Sequence, residues 1–314
     1  MKYIVTGGAG FIGSHIVEEL IKRQDEVVIL DNLFSGKVEN ILPFLSKKNV
    51  SFVQGSITDP ALLKTVFEGA DGIFHEGAIA SVPRSVANPV ATNEANITGT
   101  LNVLVAARDC GVRKVLFASS SSVYGNTPTL PKREDMEPHP LSPYAVSKLA
   151  GEQYLRVFSE IYGLQTVSLR YFNVFGPRQD PASPYSGVIS IFARCYREGR
   201  PVTIYGDGRQ TRDFITVRDV ARANLLAATR PGVTSGSANI CTGRATSLLD
   251  LAEIFAAHHR GAAAPGHRPA RAGDIVHSLG DPAAAAAELG FTARMGVAEG
   301  LTELINGAAV PVLS

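Results

Sequence analysis

The first thirteen residues constrain the fold of this chain more than any other stretch. Lys2-Tyr3-Ile4-Val5-Thr6 is a short run of apolar and β-branched residues that reads as a buried strand. It runs directly into the glycine-rich turn Gly7-Gly8-Ala9-Gly10-Phe11-Ile12-Gly13, and an amphipathic helix is expected from Ser14 to about Arg23. A second apolar strand, Glu26 to Leu30, ends at Asp31. Strand, glycine turn, helix, strand and terminal acid together describe a dinucleotide-binding unit. The glycines permit a tight turn and let the backbone approach a pyrophosphate, while the helix N-terminus offers free N–H groups and its positive dipole end. Asp31 can accept hydrogen bonds from the adenosine ribose hydroxyls, and its charge repels a 2′-phosphate. Asn32 follows it where an arginine would suit NADP, so NAD is the expected cofactor.

Further along, strands and helices alternate. The segment from Asn32 to Gly36 reads as a polar loop, followed by a helix toward Leu45. Strands are expected at Val50–Gln54, Gly72–His75 and Val115–Ser119, with helices at Pro60–Glu68 and Ala91–Cys110. Such alternation gives an α/β fold with a doubly wound parallel sheet and right-handed crossovers. The strand ends at Gly7, Asp31, Ser56, His75 and Ser119 should then ring one crevice, where such sheets bind ligands.

Composition narrows the classes. With 45% hydrophobic residues among 314, the chain can bury a large core, in one domain or two unequal ones. A formal net charge of +1 gives no electrostatic case for nucleic acid or a membrane surface. No apolar run reaches the length of a membrane span and no signal peptide is visible, so a cytoplasmic protein is expected. Cys110, Cys195 and Cys241 fit no metal or redox spacing and read as small hydrophobes. His258, His259, His267 and His277 form no metal-ligand pattern either, so no metal is expected.

Two features carry chemistry. The serine run Ser119-Ser120-Ser121-Ser122 follows a strand directly, and Tyr144-Ala145-Val146-Ser147-Lys148 opens a helix after Leu141-Ser142-Pro143. Positions four apart share a helix face, so Tyr144 and Lys148 project together. A lysine ammonium beside a phenol, with a nicotinamide cation, favours the phenolate and lowers its pKa. Such a tyrosine can take a proton from a sugar hydroxyl near neutral pH. A surface Tyr/Lys pair would look the same in isolation; the dinucleotide unit upstream and the serine-bearing strand end favour the catalytic reading.

The glycine turn, the serine run and the Tyr144/Lys148 pair resemble the extended short-chain dehydrogenase/reductase family. Within it, the chain is similar to nucleotide-sugar 4-epimerases of the UDP-galactose 4-epimerase type. Ser81-Val82-Pro83-Arg84-Ser85, Asn96-Ile97-Thr98-Gly99, Leu141 to Lys148 and Leu169 to Gly176 carry the likeness, most of all to members that work on UDP-N-acetylhexosamines. The resemblance implies a Rossmann domain over residues 1–176, with some return of later segments, and a smaller mixed α/β domain for the UDP-sugar over 177–314. Gly7, Gly10 and Gly13 match the family's glycine pattern. Ser120 matches the hydroxyl that bonds the reacting sugar oxygen, Tyr144 the base, and Lys148 the residue holding the nicotinamide ribose. Cofactor contacts are implied for Phe11, Ile12, Asp31, Asn32, Ser35 and Gly36, and again for Ser56, Ile57, Asn96 and Tyr171. Substrate contacts are implied for Ser81, Asn173 and Val188, with Tyr205 as the aromatic under the uracil. Three positions depart from the pattern: Ser56 where an acid is often found, Glu76 where a neutral residue is usual, and Ala80 where some members carry a lysine.

From about Pro177 the alternation fails. Asp180-Pro181-Ala182-Ser183-Pro184 breaks the chain, Pro201 to Tyr205 reads as a strand, and Gly206-Asp207-Gly208 as a hairpin-like turn. Arg212 and Arg271 are natural diphosphate ligands, because guanidinium forks match phosphate oxygens, and both sit in segments that resemble the family. The alanine run 283–287 should be helical and says nothing of function. The family's gate beside position 2 of the sugar corresponds to Ser278, small enough to leave room for an N-acetyl group.

The site distinguishes among the family's reactions. Dehydratases need carboxylates in the serine run to remove water, and decarboxylating relatives keep a glutamate there. Ser121 and Ser122 cannot do that acid–base work at neutral pH. Redox at one carbon, hence epimerisation, is the expected chemistry: Tyr144 takes the 4-OH proton while the hydride passes to NAD, and the keto sugar turns before the hydride returns. The implied partners are a UDP-hexose or UDP-N-acetylhexosamine and a second copy of the chain, paired through the helices Ala91–Cys110 and Tyr144–Tyr162. UDP-glucuronate 4-epimerase is the alternative, and a non-catalytic dinucleotide sensor the alternative of another class.

Overall fold

A computed structural model describes residues 1–180, 187–259, 263–270 and 275–307. The alternation expected of the N-terminal half is present. It runs β1 (Lys2–Thr6), α1 (Phe11–Lys22), β2 (Glu26–Asp31), β3 (Val50–Gln54), α2 (Pro60–Phe67), β4 (Gly72–His75), α3 (Val82–Ala87), α4 (Pro89–Asn93), α5 (Gly99–Asp109), β5 (Lys114–Ser120), α6 (Pro143–Tyr162) and β6 (Gln165–Tyr171). The second half continues with β7 (Asn173–Phe175), α7 (Val188–Arg197), β8 (Thr203–Tyr205), β9 (Thr211–Thr216), α8 (Val217–Thr229), β10 (Ser235–Ile240), β11 (Ala245–Ser247), α9 (Leu248–Ala257), β12 (Gly266–Arg268) and α10 (Val297–Gly307).

Seven strands form one sheet in the order β10-β6-β5-β4-β1-β2-β3, every neighbouring pair parallel. Successive strand residues face opposite layers, and both layers are covered, which is why the strands are apolar throughout. Val5, Ile29, Leu116 and Leu169 pack on one side against Ile16, Val17 and Leu20 of α1 and Val220 and Ala223 of α8. Ile4, Leu30, Ile73 and Val115 pack on the other against Leu63, Leu104 and Leu155 from α2, α5 and α6. The strand order turns back between β1 and β4, so their carboxyl ends open a crevice. Because α8 and β10 return to this sheet, the first unit is completed by residues well beyond Gly176. A separate core, including Phe175, Phe192, Phe214, Phe255 and Leu301, holds the smaller layers, where β11-β9-β7 form a short mixed sheet and β12-β8 a parallel pair.

Three local expectations change. The stretch after Gly36 forms two 3₁₀ turns, Val38–Asn40 and Leu42–Phe44, in place of an α-helix. Pro43 lacks the N–H that a helix would use there and crowds the preceding turn. The helix expected at Ala91–Cys110 is continuous but begins at Pro89 and carries a π-turn at Glu94–Thr98. Gly206-Asp207-Gly208 turns the chain, with φ of +84° and +80° at the glycines, yet makes no hairpin. β8 pairs in parallel with the distant β12, and β9 joins β7 and β11. Cys195 and Cys241 are buried, Cys110 half-buried. Among the described residues no helix is long and apolar enough to cross a membrane.

Below the serine run, α6 and β6 are joined by a buried ion pair. Arg170 Nε and Nη2 donate to the two Glu152 carboxylate oxygens at 2.9 and 2.7 Å, and Ser119 Oγ donates to the same carboxylate. Arg170 Nη1 also donates to Tyr124 Oη at 2.8 Å, which donates in turn to Asn239 Oδ1 of β10 at 2.7 Å. Removing one member of such a pair strands a buried charge. Arg170→Met should therefore lower the free energy of unfolding by about 3–5 kcal/mol in urea titrations. A loss near zero would show that the pair does not brace this end of the sheet.

Candidate active site

Gly7 sits at the end of β1 with φ +68°, a conformation glycine adopts without strain. A Cβ there would come within 2.7 Å of the Gly77 nitrogen after β4, and one on Gly13 within 2.3 Å of the Gly7 carbonyl oxygen. β1, β4 and α1 thus converge on bare backbone. Gly10 leads into α1 with no side-chain cap, leaving the first N–H groups of the helix to an external acceptor. These features bound a cleft of about 750 Å³.

Its wall joins the residues expected at the cofactor. Gly7, Gly10, Phe11 and Ile12 come from the first turn. Asp31, Asn32, Ser35 and Gly36 follow β2, and Ser56 and Ile57 follow β3. Asp31 is buried, its oxygens accepting from the Ala9 and Leu33 N–H groups at 3.0 and 2.8 Å, which sets the carboxylate facing the cleft. Burial raises its pKa. Tyr144, Lys148, Tyr171 and Ser81 line the same cleft, as do the backbone residues Gly77–Ile79 and Glu76. Sequence reasoning marks Glu76 as a departure and misses Gly77, whose one signal is a glycine standing close after a strand end.

Asn96, expected at the cofactor, does not line the cleft. It lies in the π-turn, its Oδ1 accepting from Ile79 N at 2.7 Å and its Nδ2 donating to Ile79 O and to Ser147 Oγ at 3.2 and 3.0 Å. Its side chain braces the cleft-lining loop from behind, joining the 76–80 segment to the helix that carries Tyr144. His75, beside it, is held between the Thr6 and Thr100 hydroxyls at 2.8 and 2.9 Å, and burial brings its pKa down to about 3.

The chemical residues meet at one end. Ser142 caps α6, its Oγ accepting from Ala145 N at 3.2 Å, so Tyr144 and Lys148 stand in the first turns of the helix. Ser120 ends β5, its Oγ accepting from Ser122 N at 3.1 Å, with its hydroxyl near the Tyr144 phenol. Lys148 Nζ donates to Ala118 O at 2.7 Å and lies 5.9 Å from the Tyr144 ring centre. Burial lowers the Lys148 pKa to about 8, with Glu76 holding it up. The expected lowering counts the nicotinamide cation; the protein's own groups together act the other way. Burial raises the Tyr144 pKa and the Glu76 charge adds to that, while the Ser120 hydroxyl draws it back. Burial pushes Glu76 up to about 7 against the hydrogen bond from Tyr171 and the Lys148 ammonium, both of which pull it down.

The residues expected at the substrate come from the smaller layers. Asn173 on β7 donates through Nδ2 to Asp213 O at 3.2 Å. Arg212 on β9 donates to Val276 O at 3.3 Å, and Ser278 N donates to Thr211 O at 3.1 Å, which brings Arg212 and Ser278 together. Asp213, next in β9, is fully buried and accepts from Thr242 N, Thr242 Oγ1, Gly243 N and Gly280 N. Val188 opens α7 directly after Gly187 of the cleft wall, and Tyr205 ends β8. Arg271 lies outside the described residues. Among the described residues no cluster of His, Cys, Asp and Glu could hold a metal ion.

A model of the NAD dependent epimerase/dehydratase family matches residues 3–241. The chain belongs to that family. The UDP-glucose 4-epimerase of Mycolicibacterium smegmatis is 39% identical to it over 308 residues, 98% of each chain. Among solved structures, the UDP-N-acetylglucosamine 4-epimerase from Methanobrevibacter ruminantium, in complex with UDP-N-acetylmuramic acid, superposes with a TM-score of 0.93 at 40% identity and covers 98% of both chains. The UDP-glucose 4-epimerase of Thermus thermophilus, in complex with NAD, gives 0.88 at 39% identity, covering 99% of this chain and 100% of that one. NAD is the family's cofactor, and the cleft fits it: bare backbone and uncapped N–H groups for a pyrophosphate, and an ionisable acid at the β2 end for ribose hydroxyls.

Proposed function

We propose that the protein is a nucleotide-sugar 4-epimerase that interconverts UDP-GlcNAc with UDP-GalNAc, and UDP-glucose with UDP-galactose. Tyr144 and Lys148 side by side at one end of the dinucleotide cleft, with the Ser120 hydroxyl near the Tyr144 phenol, carry the reading, and the serine run itself holds no carboxylate. Bound NAD supplies the acceptor and donor of the C4 hydride. The protein's residues do the rest. The Tyr144 phenol takes the 4-OH proton and later gives one back, and the Ser120 hydroxyl orients that oxygen. Lys148, fixed on the Ala118 carbonyl, holds positive charge beside the phenol. The 4-keto sugar is neutral and turns about its diphosphate, for which Arg212 and Arg271 are the cationic ligands and Asn173 a polar one. Ser121 and Ser122 offer no acid or base to eliminate water, so hydride return completes the cycle. Tyr144→Phe should keep the fold and retain NAD, yet lose about a hundred- to ten-thousand-fold in turnover of UDP-sugars. Near-normal turnover would remove the assignment.

Acceptance of the acetylated pair is supported by the size of Ser278 and by its position beside Arg212. A phenol at position 278 would crowd the acetamido group and not a hydroxyl. Ser278→Tyr should cut turnover of the acetylated pair by about tenfold or more while sparing the other. Equal loss of both pairs would show that Ser278 is not the gate.

A dimer through the helix running from α4 into α5, and through α6, is supported by exposed apolar side chains on α4 and α6 and on the adjoining α3. Val86 and Val90 are 65% and 75% exposed, and Ile161 on α6 is 68% exposed. Light scattering should return a dimer mass at micromolar concentration; a monomer would contradict it.

A further inference from the structure

We propose that Glu76 is a positioning residue of this site, a carboxylate pinned at the end of β4 that sets the charge against which the Tyr144 phenol gives up its proton. The proposal rests on the epimerase reading above. Glu76 lines the cleft together with Tyr144, Lys148 and Tyr171. Its Oε1 accepts from Tyr171 Oη at 2.8 Å, and Tyr171 Oη accepts from Asn224 Nδ2 at 2.7 Å. Asn224 Nδ2 also donates to Val220 O at 2.9 Å, which orients the amide. With Asn224 the donor, the Tyr171 hydroxyl keeps its own proton for Glu76. The chain of bonds therefore has a fixed polarity and ends on the carboxylate.

The groups facing Glu76 come from three elements. Tyr171 stands on β6, Tyr144 and Lys148 on α6, and Asn224 on α8 supports Tyr171 from behind. His75, its neighbour in the chain, is neutral and adds no charge. A negative charge toward the phenol disfavours the phenolate; toward Lys148 it favours the ammonium. An ionised Glu76 therefore makes both residues hold their protons to higher pH. Both limbs of the pH profile move in the same direction, which a purely structural side chain would not cause.

The folded-state pKa of Glu76, about 7, lies above the ordinary carboxylate value of 4.5. An acid so raised costs stability as pH climbs through that interval, because the unfolded chain ionises it first. The cost is absent below the lower value and complete above the higher one.

Three substitutions separate charge from structure. Glu76→Gln removes the charge and keeps the shape, Glu76→Leu removes charge and hydrogen bond together, and Glu76→Asp keeps the charge. Two titrations read them: the pH dependence of turnover by the NAD-loaded enzyme, and the ultraviolet absorbance of the Tyr144 phenolate, taken as the difference from Tyr144→Phe in each background. The Gln and Leu variants should shift both titrations down by about one pH unit, and the Asp variant should stay near the parent. Glu76→Gln should also melt higher than the parent at about pH 8, the gap closing near about pH 5. Neutral variants that titrate like the parent would overturn the proposal, as would neutral variants that fail to fold where Glu76→Asp folds. The phenolate titration needs no turnover. A shifted phenol in a protein that epimerises no UDP-sugar would remove the functional reading and leave the role of Glu76 intact.

Discussion

The approach of two strand ends without side chains is the constraint on which the site depends. Gly7 and Gly77 sit at the carboxyl ends of β1 and β4, where the strand order reverses, close enough that a Cβ on Gly7 would overlap the Gly77 backbone. Gly13 then lets α1 begin against the same turn. If any of these positions carried a side chain, the turn would be displaced from the sheet and the helix N-terminus would no longer point into the crevice. Asp31, held by the Ala9 amide of that turn, would lose its register as well. The cofactor cleft is therefore a consequence of backbone packing first and of side-chain chemistry second.

The chemical end of the cleft depends on a different device. Ser120 and the Tyr144–Lys148 turn belong to β5 and α6, and the Glu152–Arg170 pair ties α6 to β6 beneath them, with Ser119 bonded to the same carboxylate. One serine of the run is thus structural and its neighbour faces the phenol. Replacing the pair by apolar residues of equal volume need not cost stability. Its bidentate geometry does fix the rotation of α6, and that rotation decides where Tyr144 and Lys148 project.

The dinucleotide unit was legible in the sequence because its requirements are local: a strand, glycines at fixed offsets, a helix and an acid within some thirty residues. Tyr144 and Lys148 were legible for the same reason, as one helical face. What escaped depends on partners distant in the chain. Asn96 resembles a cofactor ligand in sequence, yet its amide is committed to Ile79 and Ser147. β8 carries a turn signal next to it, yet its partner β12 lies some sixty residues further on. The burial that raises the Tyr144 pKa, and the Glu76 charge that adds to it, were also hidden, since neither is visible in the spacing of Tyr144 and Lys148.

The smaller layers solve a problem that the large sheet does not. A UDP-sugar needs a grip on its nucleotide while the sugar stays free to turn, so the ligands for the two ends should sit on separate frames. Asp213 provides that second frame. Its buried carboxylate accepts from Thr242, Gly243 and Gly280, drawing the loop after β10 and the segment after Ser278 against β9. Its own carbonyl takes the Asn173 amide from β7. Asn173, Arg212 and Ser278 are therefore registered by one side chain and one strand, although they are spread over a hundred residues. Tyr144 and Ser120 are registered by α6 and β5 of the large sheet. On the proposed function, two such frames would hold a diphosphate and address a hydroxyl without fixing the bond between them.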